Sequence, residues 1–139
     1  MLYDTNSANL LRVCYMSTTI GLNIQTVNCD DSDLLQAFRK QVYAEALKNR
    51  PRMSLDRALG LTLRFRMPRP KTGHKGELWH ITRPDMDNME KACMDALTDA
   101  RVWQDDSLVA FKRAEKTYSD DFVGVEIGII ELENVPEAK

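Results

Sequence analysis

Asp85, Asp87 and the adjacent pair Asp105 and Asp106 are the residues of this chain whose types and spacing could do chemistry. The first two lie in the run Arg83-Pro-Asp-Met-Asp-Asn88, with Lys91 close behind. Two carboxylates brought to 4 Å repel by about 4 kcal/mol at an intermediate dielectric. A third makes the cost higher unless a positive charge lies between them. A divalent cation is the simplest such charge, and ligation by carboxylates and water suits Mg²⁺, with Mn²⁺ as a substitute. The reaction implied is metal-dependent attack on a phosphate ester.

In extended backbone, residues two apart point to the same side, so Asp85 and Asp87 can face one ion. A D-x-D pair alone is weak evidence, because Asp87 also suits a helix cap and Asp85 a solvated loop. Its neighbours make the set more specific. Lys91 follows Asp87 by roughly one helical turn. It can hold a phosphate oxygen or growing negative charge, and its ordinary alternative is a surface ion pair with Asp95. Asn88 and Asp105 are expected to support the site from behind the ligands, and Asp95 either orients Lys91 or is only that surface partner. Strand alternation lets one of Asp105 and Asp106 face the site, and the pattern does not say which.

These residues need elements to position them. The Asp30-Asp-Ser-Asp33 start signal, followed by Leu34, Leu35, Phe38, Val42 and Leu47, predicts a helix that ends before Pro51. Residues 58–67 alternate as a strand, with Leu59, Leu61, Leu63, Phe65 and Met67 inward and Arg64 and Arg66 sharing the other face. Residues 78–82 form a short extended segment. Residues 87–98 predict a helix with Asp87 as cap, Glu90 at capping-box spacing, and an apolar stripe of Met89, Ala92, Cys93, Ala96 and Leu97. Strands follow at 107–118 and 122–132, with Ser119-Asp-Asp121 as the hairpin turn between them. Residues 10–27 can supply a further strand, and residues 1–9 read as a frayed polar start.

The 139 residues suggest one domain, 1–139, with 43% hydrophobic and 29% charged residues, as in soluble globular proteins. The longest uncharged stretch, 13–29, is too polar to span a membrane and lacks the marks of a signal peptide, so a cytoplasmic location is expected. Cys14, Cys29 and Cys93 read as reduced, mostly buried thiols, and His74 and His80 as ordinary loop or strand residues rather than zinc ligands. Trp79, Trp103 and Tyr118 read as core or rim residues. The net charge is −2, yet residues 57–76 hold Arg57, Arg64, Arg66, Arg69, Lys71 and Lys75 and no acid. Beside the acidic cluster, that run suggests a nucleic-acid backbone as partner, with Lys116 as a further phosphate contact.

Arg83-Pro-Asp-Met-Asp-Asn88, Lys91, Asp95-Ala-Leu97 and Trp103-Gln-Asp-Asp106, with the Met-Pro-Arg-Pro-Lys run, resemble the RusA family of Holliday-junction resolvases, most of all its phage and prophage members. The resemblance covers roughly residues 58–132. It implies a small α/β (α+β) domain, a mixed sheet packed against helices, working as a homodimer in a bacterial or phage-infected cell. By position it implies Mg²⁺ ligation by Asp85, Asp87 and Asp106, with Lys91 as the catalytic lysine. The substrate implied is a four-way DNA junction, cut in paired nicks that leave a 5′-phosphate and a free 3′-hydroxyl, with no small-molecule cofactor and no membrane partner. Residues 1–30 depart from the family, lacking its Gly-x-Pro-type segment and the basic stretch after it. Alternatives are a broader nuclease on flaps and other branched DNA, or a junction-binding protein with little turnover. Sugar cleavage by paired carboxylates is disfavoured by the basic run and Lys91.

Overall fold

The computed structural model describes residues 14–21, 31–121 and 123–133. Four strands form one sheet: β1 (Cys14–Gly21), β2 (Leu59–Pro68), β3 (Val109–Ser119) and β4 (Gly124–Glu131). Two helices accompany it, α1 (Asp31–Asn49) and α2 (Met86–Asp99), with a single 3-10 turn at Asp106–Leu108 before β3. The strand order is β1-β4-β2-β3. β4 runs antiparallel to β1 and β2, while β2 and β3 are parallel, so the sheet is mixed and the class is α+β. Residues 1–9, Asp30 and Cys29 lie outside the described residues.

The core forms where the alternating apolar face of β2 meets the helices. Leu61, Leu63 and Phe65 are fully buried with Val125, Ile127 and Ile129 of β4. From α2 come Met89, Ala92, Cys93, Ala96 and Leu97, the expected stripe, and from α1 Phe38, Val42 and Ala46. The Phe38 and Phe65 rings meet with centroids 6.0 Å apart. Leu47, expected on the inner face, is 39% exposed, and Ala46 takes the inward place. Cys93 is a free thiol, and burial holds it well above its ordinary pKa. No described helix is long and apolar enough to cross a membrane.

Two expectations are corrected. Ser119 to Asp121 do not turn a hairpin, because β2 lies between β3 and β4. The reason is visible in β4, where Gly128 and Ile130 are buried along with the inward residues. A strand covered on both faces belongs inside a sheet with two neighbours, here β1 and β2. The second correction concerns the start of α2. The helix begins at Met86 with Asp85 at its cap position, and the Asp85 side chain makes no capping bond. Asp87 lies inside the first turn, where its Oδ1 accepts the Asn88 backbone N–H at 3.0 Å. Glu90 pairs with Lys112 at 3.3 Å, so the capping box does not form.

Leu63→Ala should lose about 2–5 kcal/mol of stability, the usual cost of emptying a buried leucine site. Leu47→Ala should lose under about 1 kcal/mol by the same reasoning. Urea unfolding of the two variants checks both, and equal losses would contradict this packing.

Candidate active site

The path from β2 to the acids is built from backbone bonds and one arginine. After Pro68, Arg69 pins the loop: its Nε donates to Asp120 at 2.8 Å, and its Nη1 donates to the carbonyls of His74 and Glu77 at 2.6 and 2.8 Å. Its guanidinium also lies 5.1 Å from the centre of the Tyr118 ring. Gly73 and Gly76 take φ of 78° and 81° there, a left-handed conformation that glycine adopts without cost. The chain then lies along the outer edge of β3. The Tyr118 N–H donates to the Leu78 carbonyl at 2.8 Å, and the His80 N–H donates to the Lys116 carbonyl at 3.1 Å. Trp79 pairs with Thr117 and stays 55% exposed, whereas Tyr118 and Trp103 are buried.

Lys116 closes the approach. Its Nζ donates to the carbonyls of Thr82 and Pro84, both at 2.7 Å. The Arg83–Pro84 bond is cis. Asp85 follows at once, exposed, with Asp87 exposed in the first turn of α2. The N–H groups that a helix leaves unpaired at its N-terminus, and its positive end, make this a favourable place for a phosphate oxygen. Asp87, Lys91 and Asp95 then succeed one another at i, i+4 spacing along α2. Lys91 is exposed and makes no ion pair among the described residues; Asp95 pairs with Arg39 of α1 at 3.8 Å instead.

The far end of α2 positions Asp105 and Asp106. Trp103 is fully buried and its indole N–H donates to Thr98 Oγ1 at 2.7 Å. Leu55 bridges the same segment, donating to the Val102 carbonyl at 3.0 Å and accepting from the Gln104 N–H at 2.9 Å. Asp105 caps the 3-10 turn by accepting the Ser107 N–H at 3.2 Å, and that bond is foremost in holding its carboxyl below the ordinary range. Asp106 is held above that range, first by its hydrogen bond with the Asp105 side chain and also by the charge of Asp95. Both aspartates precede β3, so strand alternation does not choose between them.

Among the described residues, no three Asp, Glu, His or Cys side chains form a group able to hold a metal ion. Asp85 stands at the cap position of α2 and Asp87 in its first turn, while Asp105 and Asp106 lie at the 3-10 turn before β3. The donors fit a hard divalent cation in kind, being exposed carboxylates. As they stand they do not form a three-ligand group, so no step is derived through such an ion.

The basic run proves largely neutralised. Arg57 pairs with Glu131 at 3.1 Å, Arg64 with Glu115 at 3.0 Å, Arg66 with Glu126, and Arg69 with Asp120. Each acid comes from another part of the fold, which is why the local count of charges missed it. Lys116 likewise spends its ammonium on loop carbonyls rather than on solvent. Lys71 and Lys75 remain exposed, without an ion pair among the described residues. Arg113 of β3 is likewise exposed and without an ion pair among the described residues.

A mixed sheet covered by two helices, with carboxylates at the cap and in the first turn of α2 and an exposed lysine one turn on, makes this a small α+β domain. The chain matches the endodeoxyribonuclease RusA family over residues 22–130 and belongs to it. It is 29% identical over 93 residues to the crossover junction endodeoxyribonuclease rusA of Lactococcus phage r1t, a match covering 64% of this chain and 68% of that protein. The chain is therefore an endodeoxyribonuclease by family.

His80, wedged between Tyr118 and Lys116, has a buried Nδ1 without a partner. Burial foremost, then the Lys116 charge, lowers its pKa from 6.5 to about 4. The unfolded chain thus takes up the proton first as pH falls. Stability that is complete above pH 6.5 should decline toward pH 4 through this group. The His80 ring resonances should remain those of neutral imidazole at pH 5.5, and a midpoint near 6.5 would contradict the buried placement.

Proposed function

We propose that this chain cuts four-way DNA junctions by phosphodiester hydrolysis, acting as a homodimer. One observation carries the reading: the family match spans an α2 that exposes Asp85 at its cap and Asp87 in its first turn, delivered there by a loop fastened to the sheet. The helix start can seat a phosphate oxygen. Lys91, exposed and unpaired among the described residues, can offset the negative charge that grows as water attacks phosphorus. A four-way junction has near two-fold symmetry, and a C2 dimer would offer two copies of the site to opposing strands. The name of the phage r1t relative supports this choice of substrate.

The proposed reaction needs a divalent cation, Mg²⁺ or Mn²⁺ in its place, with Asp85, Asp87 and Asp106 as ligands. Donor chemistry supports it, and so does the repulsion the three would otherwise suffer. The three would have to draw together around the ion, since they do not form such a group as they stand. That the described acids form no ready three-ligand group also favours a second reading, a protein that binds junctions and turns over little.

Asp85→Asn and Asp106→Asn should each lower junction nicking in Mg²⁺ by about 100-fold or more while junction affinity stays within about threefold. Nicking assays beside gel-shift titrations check this. Normal cutting by both variants would take the acids out of the reaction, and tight binding with no nicking by the unaltered chain would favour the second reading. Separately, the double change Lys71→Ala and Lys75→Ala should reduce the slope of log affinity against log salt by about 1.8, if each lysine meets one phosphate. Arg64→Ala, whose partner is Glu115, should leave that slope nearly unchanged.

A further inference from the structure

A lysine on the core side of a sheet needs a reason. Side chains alternate along β3, so Lys116 shares a face with Ala114 and with the buried Tyr118. Lys116 itself is 8% exposed. Burying an ammonium costs several kcal/mol before compensation, whereas a methionine of similar length could pack there without that penalty. The compensation is specific: the Thr82 and Pro84 carbonyls accept from Nζ at 2.7 Å, and the Asp85 carboxylate acts on the same ammonium through its charge. All three groups belong to the four residues that lead into α2. The next backbone bond along the chain, from the Met89 N–H to the Asp85 carbonyl at 3.1 Å, opens the helix.

We infer that Lys116 is a positioning residue for the proposed nuclease reaction: by gripping residues 82–84 from β3, it fixes where Asp85 stands at the start of α2. The inference rests on the nuclease reading for its consequence in catalysis. Lys116 touches no substrate in this role, because its ammonium faces inward. Without it the Thr82 and Pro84 carbonyls lose their donor, while the fastening by Arg69 and the pairing of Leu78 to His80 with β3 lie earlier in the loop. The acid then samples several positions, and displacement of a reacting group by about 1 Å can cost about 100-fold in rate.

The test compares Lys116→Met with the unaltered chain in two independent measurements. Amide hydrogen exchange should show Met89 opening at least about tenfold faster, with the Leu63 and Ile127 amides of the sheet unchanged. Junction nicking should show kcat lower by about 10- to 100-fold, with KM within about threefold. Unchanged Met89 exchange, unchanged kcat, equal acceleration at Leu63 and Ile127, or a loss confined to KM would each overturn the inference; the last would make Lys116 a DNA contact. If Lys116→Met does not fold, Lys116→Gln, which keeps an N–H donor for one carbonyl, is measured in the same way. An unaltered chain that nicks no DNA defeats the nuclease reading, whereas the exchange of Met89 reports on the grip of Lys116 regardless.

Discussion

β2 and β3 are neighbours and run parallel, and much of the molecule follows from that pairing. Parallel neighbours cannot be joined by a tight turn, so the chain must travel back along the sheet before β3 can begin. Residues 69–108 make that journey, and they include both lysines of the basic loop, the acids at 85, 87, 95, 105 and 106, and Lys91. The crossover helix lies on the apolar face of the sheet because its stripe from Met89 to Leu97 has to be covered. Its polar face is then left to carry functional groups. The connection serves as the structural return and also carries the candidate site residues, with the sheet as its support.

Charge compensation is the second theme. Four of the six cations in residues 57–76 have acidic partners brought in from β3, β4 and the connection between them. Exposed pairs of this kind add little stability each, but they decide which cations remain available to an anionic partner. Arg69 is the extreme case: two carbonyls, an aspartate and an aromatic ring make it the fastening of its own loop. A basic stretch in the sequence is therefore a poor map of basic surface when its strand has acidic neighbours.

The sequence was legible where local pattern and tertiary burial agree. The stripe of α2, the inward face of β2 and the polar face holding Arg64 and Arg66 follow from periodicity alone, and packing had no cause to override it. It was not legible where the answer depends on strands far apart in the chain. The turn at 119–121 has hairpin chemistry, yet β4 is covered on both faces and takes β1 and β2 as neighbours. Lys116 reads as one more surface cation until alternation places it with Tyr118 on the covered face, a signal present in the chain but easily passed over. The acids were found as residues and not as an arrangement, because the 3-10 turn before β3 sets the direction of Asp105 and Asp106, and no spacing rule anticipates that turn.

Cys93 lies at the centre of the α2 stripe with no accessible surface, and its thiol is kept protonated. Thiol reagents attack the thiolate, so neither alkylation nor oxidation has a foothold on this residue while the helix stays seated. Its sulfur is a dormant nucleophile that wakes when α2 lifts from the sheet. The same residue that fills the core thus marks, by its silence or its reactivity, whether the platform under the acids is intact.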